Sequence, residues 1–317
     1  MSTRLQVIAI GALGATVLAV LGGVGGAFGL FAAYFAALPL FAVGFMAGAK
    51  ACTAAAAVAA AIIAATLSAT EAAVFLAAQA VPAASVVWLS LRTRIAPTGD
   101  AEWYRPGDVV AWLAAYGAVG FAILALGLAG QGDGPGVEQA LADELERVLS
   151  AVAVGADPDR TTAMAAALAR FFPAIVLASW MVMTVINAVL GFQIAKRFGS
   201  LQRPEPTWSA MTLPGWLMTA TAAASLAALV GRGTTVGFVG GNAALALCVP
   251  YVLLGFAVAH AFAARLKSPR LMLWGVYLVV VLLGWPVLLM AAVGFAEDWI
   301  GLRRHFAGPR PEPEDER

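Results

Sequence analysis

Between Arg4 and Arg92 the chain carries only two charges, Lys50 and Glu71, and they divide it into lengths that fit a bilayer. Twenty uncharged residues separate Lys50 from Glu71, and twenty more separate Glu71 from Arg92. An α-helix rises ~1.5 Å per residue, so such a run covers a hydrocarbon core of ~30 Å. The stretch 5–49 is long enough for two runs and is broken by Gly22, Gly23, Gly25 and Gly26. The first third of the chain therefore predicts four membrane crossings with charges only at their ends.

Composition extends this reading to the whole chain. Hydrophobic residues make up 62% and charged residues 12%, against ~45–50% and ~25% in a soluble domain. Too little polar material remains to cover a water-facing surface. The apolar runs are continuous rather than alternating, which excludes a β-barrel pattern and leaves helices to satisfy the backbone in lipid. The expected fold is all-α: a polytopic transmembrane bundle of about 8–9 crossings, forming one membrane domain over 1–307. The crossings are placed near 5–22, 28–48, 51–67, 70–91, 108–130, 172–196, 212–231, 238–264 and 271–295. Residues 1–4 and the first apolar run resemble a signal peptide, but a second run follows at once, so the first helix is expected to be retained.

Two polar segments interrupt the pattern. Residues 92–107 read as a charged loop. In the longer insert 131–171, Val137, Leu141, Leu145, Val148, Leu149 and Val152 share one helical face, opposite Glu138, Asp143, Glu144 and Glu146. This predicts an amphipathic helix at the surface. Asp157-Pro158 is a cap followed by proline at the first helical position, predicting a second helix that runs to a kink at Pro173. The Pro-rich, charged tail 308–317 is expected to be disordered.

Lys and Arg set the orientation. Counted alternately, one side receives Arg4, Lys50, the Arg92/Arg94/Arg105 group, Lys196/Arg197/Arg203 and Arg265/Lys267/Arg270. That side, with the N-terminus, should be cytoplasmic. Nine crossings would leave Arg303 and Arg304 outside, against the rule, unless one crossing is re-entrant.

The signatures of soluble enzymes are missing. No Walker-type phosphate loop, HExxH helix or nucleophile elbow occurs. His260 and His305 with the isolated Cys52 and Cys248 make no recognisable zinc site. The cysteines read as small buried hydrophobes. The net charge of +1 gives no electrostatic case for nucleic acid. The chain is expected to be no enzyme and to need no cofactor.

Polar residues inside the crossings are the next candidates, because hydrocarbon makes them costly unless they face protein or water. Gln79, three residues before Pro82, and Asn187 either line a solute cavity or make interhelical hydrogen bonds. Glu71 either binds a proton or cation, or completes a capping box with Ser68. The run Gly231-Arg232-Gly-Thr-Thr-Val-Gly-Phe-Val-Gly-Gly-Asn242 reads as a flexible outer connection in which Arg232 meets an anion, or as a plain loop. Gly44-x-x-x-Gly48 has the spacing of closely packed helices. Prolines 39, 82, 173, 214, 250 and 286 break or start helices, and broken helices free backbone groups that transporters use to bind solutes. The solute-binding candidates are Gln79, Asn187, Asn242, Arg232 and Glu71.

The run Ala37-Leu-Pro39-Leu-Phe-Ala-Val-Gly44-Phe-Met-Ala-Gly48-Ala-Lys50-Ala resembles the N-terminal hairpin of the YybS-like bacterial membrane proteins, a multi-pass family of unknown function. The ending Gly294-Phe-Ala-Glu-Asp298-Trp299-Ile-Gly-Leu-Arg303-Arg304 is similar to that family's closing pattern. The resemblance implies a multi-pass protein of the bacterial inner membrane. The same hairpin more distantly resembles the substrate-capture subunits of energy-coupling-factor vitamin transporters, though with about three crossings more than their usual six. That resemblance implies separate ATPase and coupling subunits as partners. The expected function is a solute-binding or permeation component without its own ATPase. The alternative is a membrane scaffold that holds envelope-assembly proteins.

Overall fold

The computed structural model describes residues 3–95, 99, 101–130, 136–152, 157–199 and 201–306; the expected disordered tail lies outside them. The described residues are 83% helical. In order, the helices are α1 (Thr3–Gly22), α2 (Gly26–Phe35), α3 (Leu38–Ala47), α4 (Ala49–Thr66), α5 (Ala69–Phe75) and α6 (Val81–Ser90), with a π-helical turn, Leu76–Ala80, joining the last two. Strands β1 (Thr93–Ile95) and β2 (Ala101–Trp103) precede α7 (Pro106–Ala129), α8 (Val137–Val152), α9 (Pro158–Ala169) and α10 (Phe172–Arg197). After a 3-10 turn, Trp208–Ala210, come α11 (Trp216–Val230), α12 (Thr235–Ala263), α13 (Pro269–Leu283), α14 (Val287–Ile300) and α15 (Leu302–Phe306).

Among the described residues, seven helical stretches are long and apolar enough to cross a membrane: Arg4–Gly22, Gly26–Ala47, Ala49–Thr66, Ala69–Ser90, Pro106–Ala129, Phe172–Arg197 and Thr235–Ala263. They match seven of the nine expected crossings. The other two differ. α11 is apolar but has only 15 residues. The expected single crossing 271–295 is two helices of 15 and 14 residues, because Gly284 at φ 70° and then Pro286 end one helix before the next begins.

The chain forms two compact units. Unit 1 comprises Met1–Arg105 and Ile175–Pro206, and unit 2 comprises Pro106–Ala174 and Thr207–Arg317. In unit 1 small residues let helices approach closely. A Cβ on Gly191 of α10 would lie 2.5 Å from Cβ of Phe41 and 2.9 Å from the amide nitrogen of Ala42, so α10 sits directly on the backbone of α3. Gly44 similarly faces Val87. Gly48, its partner in the sequence pattern, serves differently: at φ 91° with open space around it, it turns α3 into α4.

One end of unit 1 brings together Arg4 and the 92–105 and 196–203 segments, part of the basic set that alternate counting put on one side. Arg4 donates to the carbonyl of Ala47 at the end of α3, three residues before Lys50 in the first turn of α4. Gln202 donates to Met46, and Arg203 to Ser90 and Tyr104. The charged loop 92–107 contains a small antiparallel ribbon, with Thr93 opposite Trp103 and Arg94 opposite Glu102. Arg94 pairs with Glu102 at 3.5 Å, and Arg203 lies over the Trp103 ring.

Unit 2 is built around α12, which packs on α7, α11 and α14. The glycine-rich run 231–242 is not the flexible connection the sequence predicts. Only its first residues turn; Thr234 caps α12 by accepting the N–H of Gly237. A Cβ on Gly237 would fall 2.1 Å from the carbonyl oxygen of Gly231, and one on Gly240 2.7 Å from the amide of Ala228. The glycines are there to seat α12 against α11. At the other contact, Gly255 and Gly294 bring α12 and α14 together, where a Cβ on either would meet a backbone oxygen at 1.9 Å.

The central insert follows its pattern. α8 pairs with α9, and its Val137, Leu141, Leu145 and Leu149 are half-buried while Asp143 and Glu144 are exposed. Val148 and Val152, expected on the same face, remain exposed. Asp157 caps α9 through Asp159 N–H, with Pro158 at the first position. Pro173 does not kink a continuous helix. The chain turns at Arg170 and Phe171, and Pro173 sits in the first turn of α10.

Candidate functional site

In unit 1 two helices are discontinuous, and the gaps are closed by side chains. α2 stops at Phe35, so the carbonyls of its last turn lose regular partners. Ala33 oxygen accepts the Ala36 N–H and also Gln79 Nε2, each at 3.3 Å, and the adjacent Tyr34 oxygen accepts Asn187 Nδ2 at 2.7 Å. Pro82 has no N–H to offer the carbonyl of Ala78, four residues earlier. That oxygen instead accepts the indole N–H of Trp180 at 2.7 Å. Tyr34 OH and Ser179 Oγ lie 2.7 Å apart. The two sequence candidates Gln79 and Asn187 thus meet on consecutive residues of α2. Asn187 is 1% exposed, and its Oδ1 has no hydrogen-bond partner among the described residues.

The other sequence candidates serve locally. Asn242 is 2% exposed and fully engaged: Nδ2 donates to Arg170 and Phe238, and Oδ1 accepts the N–H of Ala174. It caps the start of α10 from a neighbouring helix. Glu71 is exposed, and its N–H donates to Ser68 Oγ at 3.1 Å, the expected capping geometry. Arg232 is exposed in the α11–α12 turn. Cys52 and Cys248 are free thiols within helices.

The charged cluster at the end of unit 2 was not among the sequence candidates. Glu297, with a side chain 8% exposed, pairs with Arg303 Nε at 2.7 Å and also accepts the Arg303 N–H at 2.8 Å. Arg303 reaches the carbonyls of Ser209 and Met211 as well. Gly301, at φ 66°, provides the left-handed reversal that folds Arg303 back. Arg303 therefore shares an end of unit 2 with 209–212 and with the start of α7, where Gly107 abuts Thr212.

Outside the spans, Glu205 accepts from Lys196 and Gln193, and chiefly the Lys196 bond holds its carboxyl below the usual range. Arg203 is lowered from its ordinary value by partial burial.

No known protein family, curated protein or solved structure matches the chain.

Proposed function

We propose that this protein is a multi-pass component of a bacterial cytoplasmic membrane that binds or passes a small polar solute within unit 1, with no catalysis of its own. The observation carrying this reading is the buried Asn187 Oδ1, which lacks a partner among the described residues, on α10, whose Asn187 and Trp180 donate to the carbonyls of two interrupted helices. Broken helices form the solute and ion sites of many transporters, and a buried acceptor without a partner calls for an explanation that a bound solute would supply. The Lys and Arg distribution favours a cytoplasmic N-terminus. With α11 as a further, shorter crossing and α13–α14 returning, eight crossings put Arg303 and Arg304 on the cytoplasmic side as well. Kinship to the YybS-like proteins, and separate ATPase and coupling subunits, are part of the same proposal.

A scaffold for envelope-assembly proteins is the second reading. It is favoured by one fact: the amide groups of Gln79 and Asn187 are already bonded to backbone, as in a closed, packed interior. Purification from the native membrane, with mass spectrometry of what accompanies the protein, separates the two. The solute reading expects a small molecule or ion whose occupancy collapses in Asn187→Leu and Gln79→Leu while the variants stay folded. Unchanged occupancy, or protein partners alone, would sink it.

A further inference from the structure

A cavity of about 500 Å³ opens at the end of unit 2 that holds Arg303, its walls including Thr212, Leu254, Asp298, Trp299 and Arg304. Its charges fall into two sets. Glu297 and Arg303 neutralise each other, and Arg303 is held further by the carbonyls of Ser209 and Met211. Asp298 and Arg304 are left over. Neither side chain has a hydrogen-bond or ion-pair partner among the described residues, and the two do not pair with each other.

Unlike charges held apart on one cavity select for a ligand that carries both. A simple anion would be repelled by Asp298, and a simple cation by Arg304. A carboxylate binds best to a group with N–H donors, and a guanidinium matches phosphate oxygens in a fork. The rim indicates where the rest of the ligand lies. Trp299 is 83% exposed and Ile300 58% exposed, an apolar, aromatic border of the kind found at the headgroup level of a membrane.

We propose that this cavity binds a zwitterion pairing a primary ammonium with a phosphate, the chemistry of an aminophospholipid headgroup, with the ammonium on Asp298 and the phosphate on Arg304. The site is independent of the solute reading for unit 1.

The test is native mass spectrometry of the full chain in detergent, titrated with phosphatidylethanolamine, phosphatidylcholine or phosphatidylglycerol, with soluble phosphoethanolamine as competitor. Phosphatidylethanolamine should bind roughly tenfold tighter than the other two, the size of one charge-assisted hydrogen bond. Asp298→Asn should abolish that preference, and Arg304→Gln should weaken phosphatidylethanolamine and phosphatidylglycerol alike. Displacement by phosphoethanolamine would show that the free zwitterion suffices; resistance to it would show that the acyl chains contribute. Either result supports the site. Equal binding of all three lipids, or an undiminished preference in Asp298→Asn, overturns it. Should a variant fail to fold, the ranking of the three lipids on the unaltered chain decides alone.

Discussion

The breaks within unit 1 and the α13–α14 break of unit 2 are handled by different chemistry. In unit 1 the exposed carbonyls at the end of α2 and before Pro82 are taken up by neutral donors, the amides of Gln79 and Asn187 and the indole of Trp180. In unit 2 the chain after the α13–α14 break is anchored by an ion pair, Glu297 with Arg303, that also ties down the 207–211 segment. Neutral hydrogen bonds between membrane helices contribute little each, about 0.6–2 kcal/mol. A desolvated ion pair is hard to leave half-made. Unit 1 therefore spreads its restraint over several weak links, whereas unit 2, which uses the neutral amide of Asn242 at its α9–α10 junction, rests on one ion pair after the α13–α14 break.

The contrast is most exposed to failure at Arg303. Arg303→Met strands Glu297 in a buried setting and should cost about 3–5 kcal/mol, read as a large loss of thermal stability in detergent. Trp180→Phe removes one of unit 1's links and should cost about 1 kcal/mol; a loss matching that of Arg303→Met would erase the distinction. The smallest effect belongs to the exposed Lys196–Glu205 pair. The folded Glu205 carboxyl titrates below its unfolded value of ~4.3. Its contribution is thus complete above the unfolded value and disappears as pH falls through the folded one. A slight drop in melting temperature in that acidic window should be seen, and it should shrink in Lys196→Met, where only the Gln193 bond remains.

What could be read from the sequence was whatever contrasts with its surroundings. The spacing of Lys50, Glu71 and Arg92 located α4 and the α5–α6 stretch because charge cannot enter hydrocarbon cheaply. Asp157-Pro158 and Ser68 marked helix starts because caps are local chemistry. α8 was legible because its two faces differ in polarity. Inside uniformly apolar stretches that contrast is missing. Nothing in 231–242 distinguishes glycines that permit a loop from glycines that seat one helix on another. Gln79 and Asn187 stood out as polar, but not that both would reach neighbouring carbonyls on α2, which depends on where α10 packs. The Glu297–Arg303 pair was hidden because its six-residue spacing matches no helical repeat and exists only through the reversal at Gly301.

The π-turn Leu76–Ala80 has a consequence for register. Such a turn adds one residue to the winding without adding one to the regular repeat. Buried positions accordingly run Ala72, Phe75 and then Ala80, Ala83, Val86, with a step of five where three or four is normal. The extra residue is taken up by the wider winding, so the halves before and after the turn keep one face toward their neighbours. Removing a single residue from 76–80 would close the stretch into an ordinary α-helix with a step of four. Val87 would stay on Gly44, and the change would be confined to the turn itself, where Ala78 and Gln79 make their bonds.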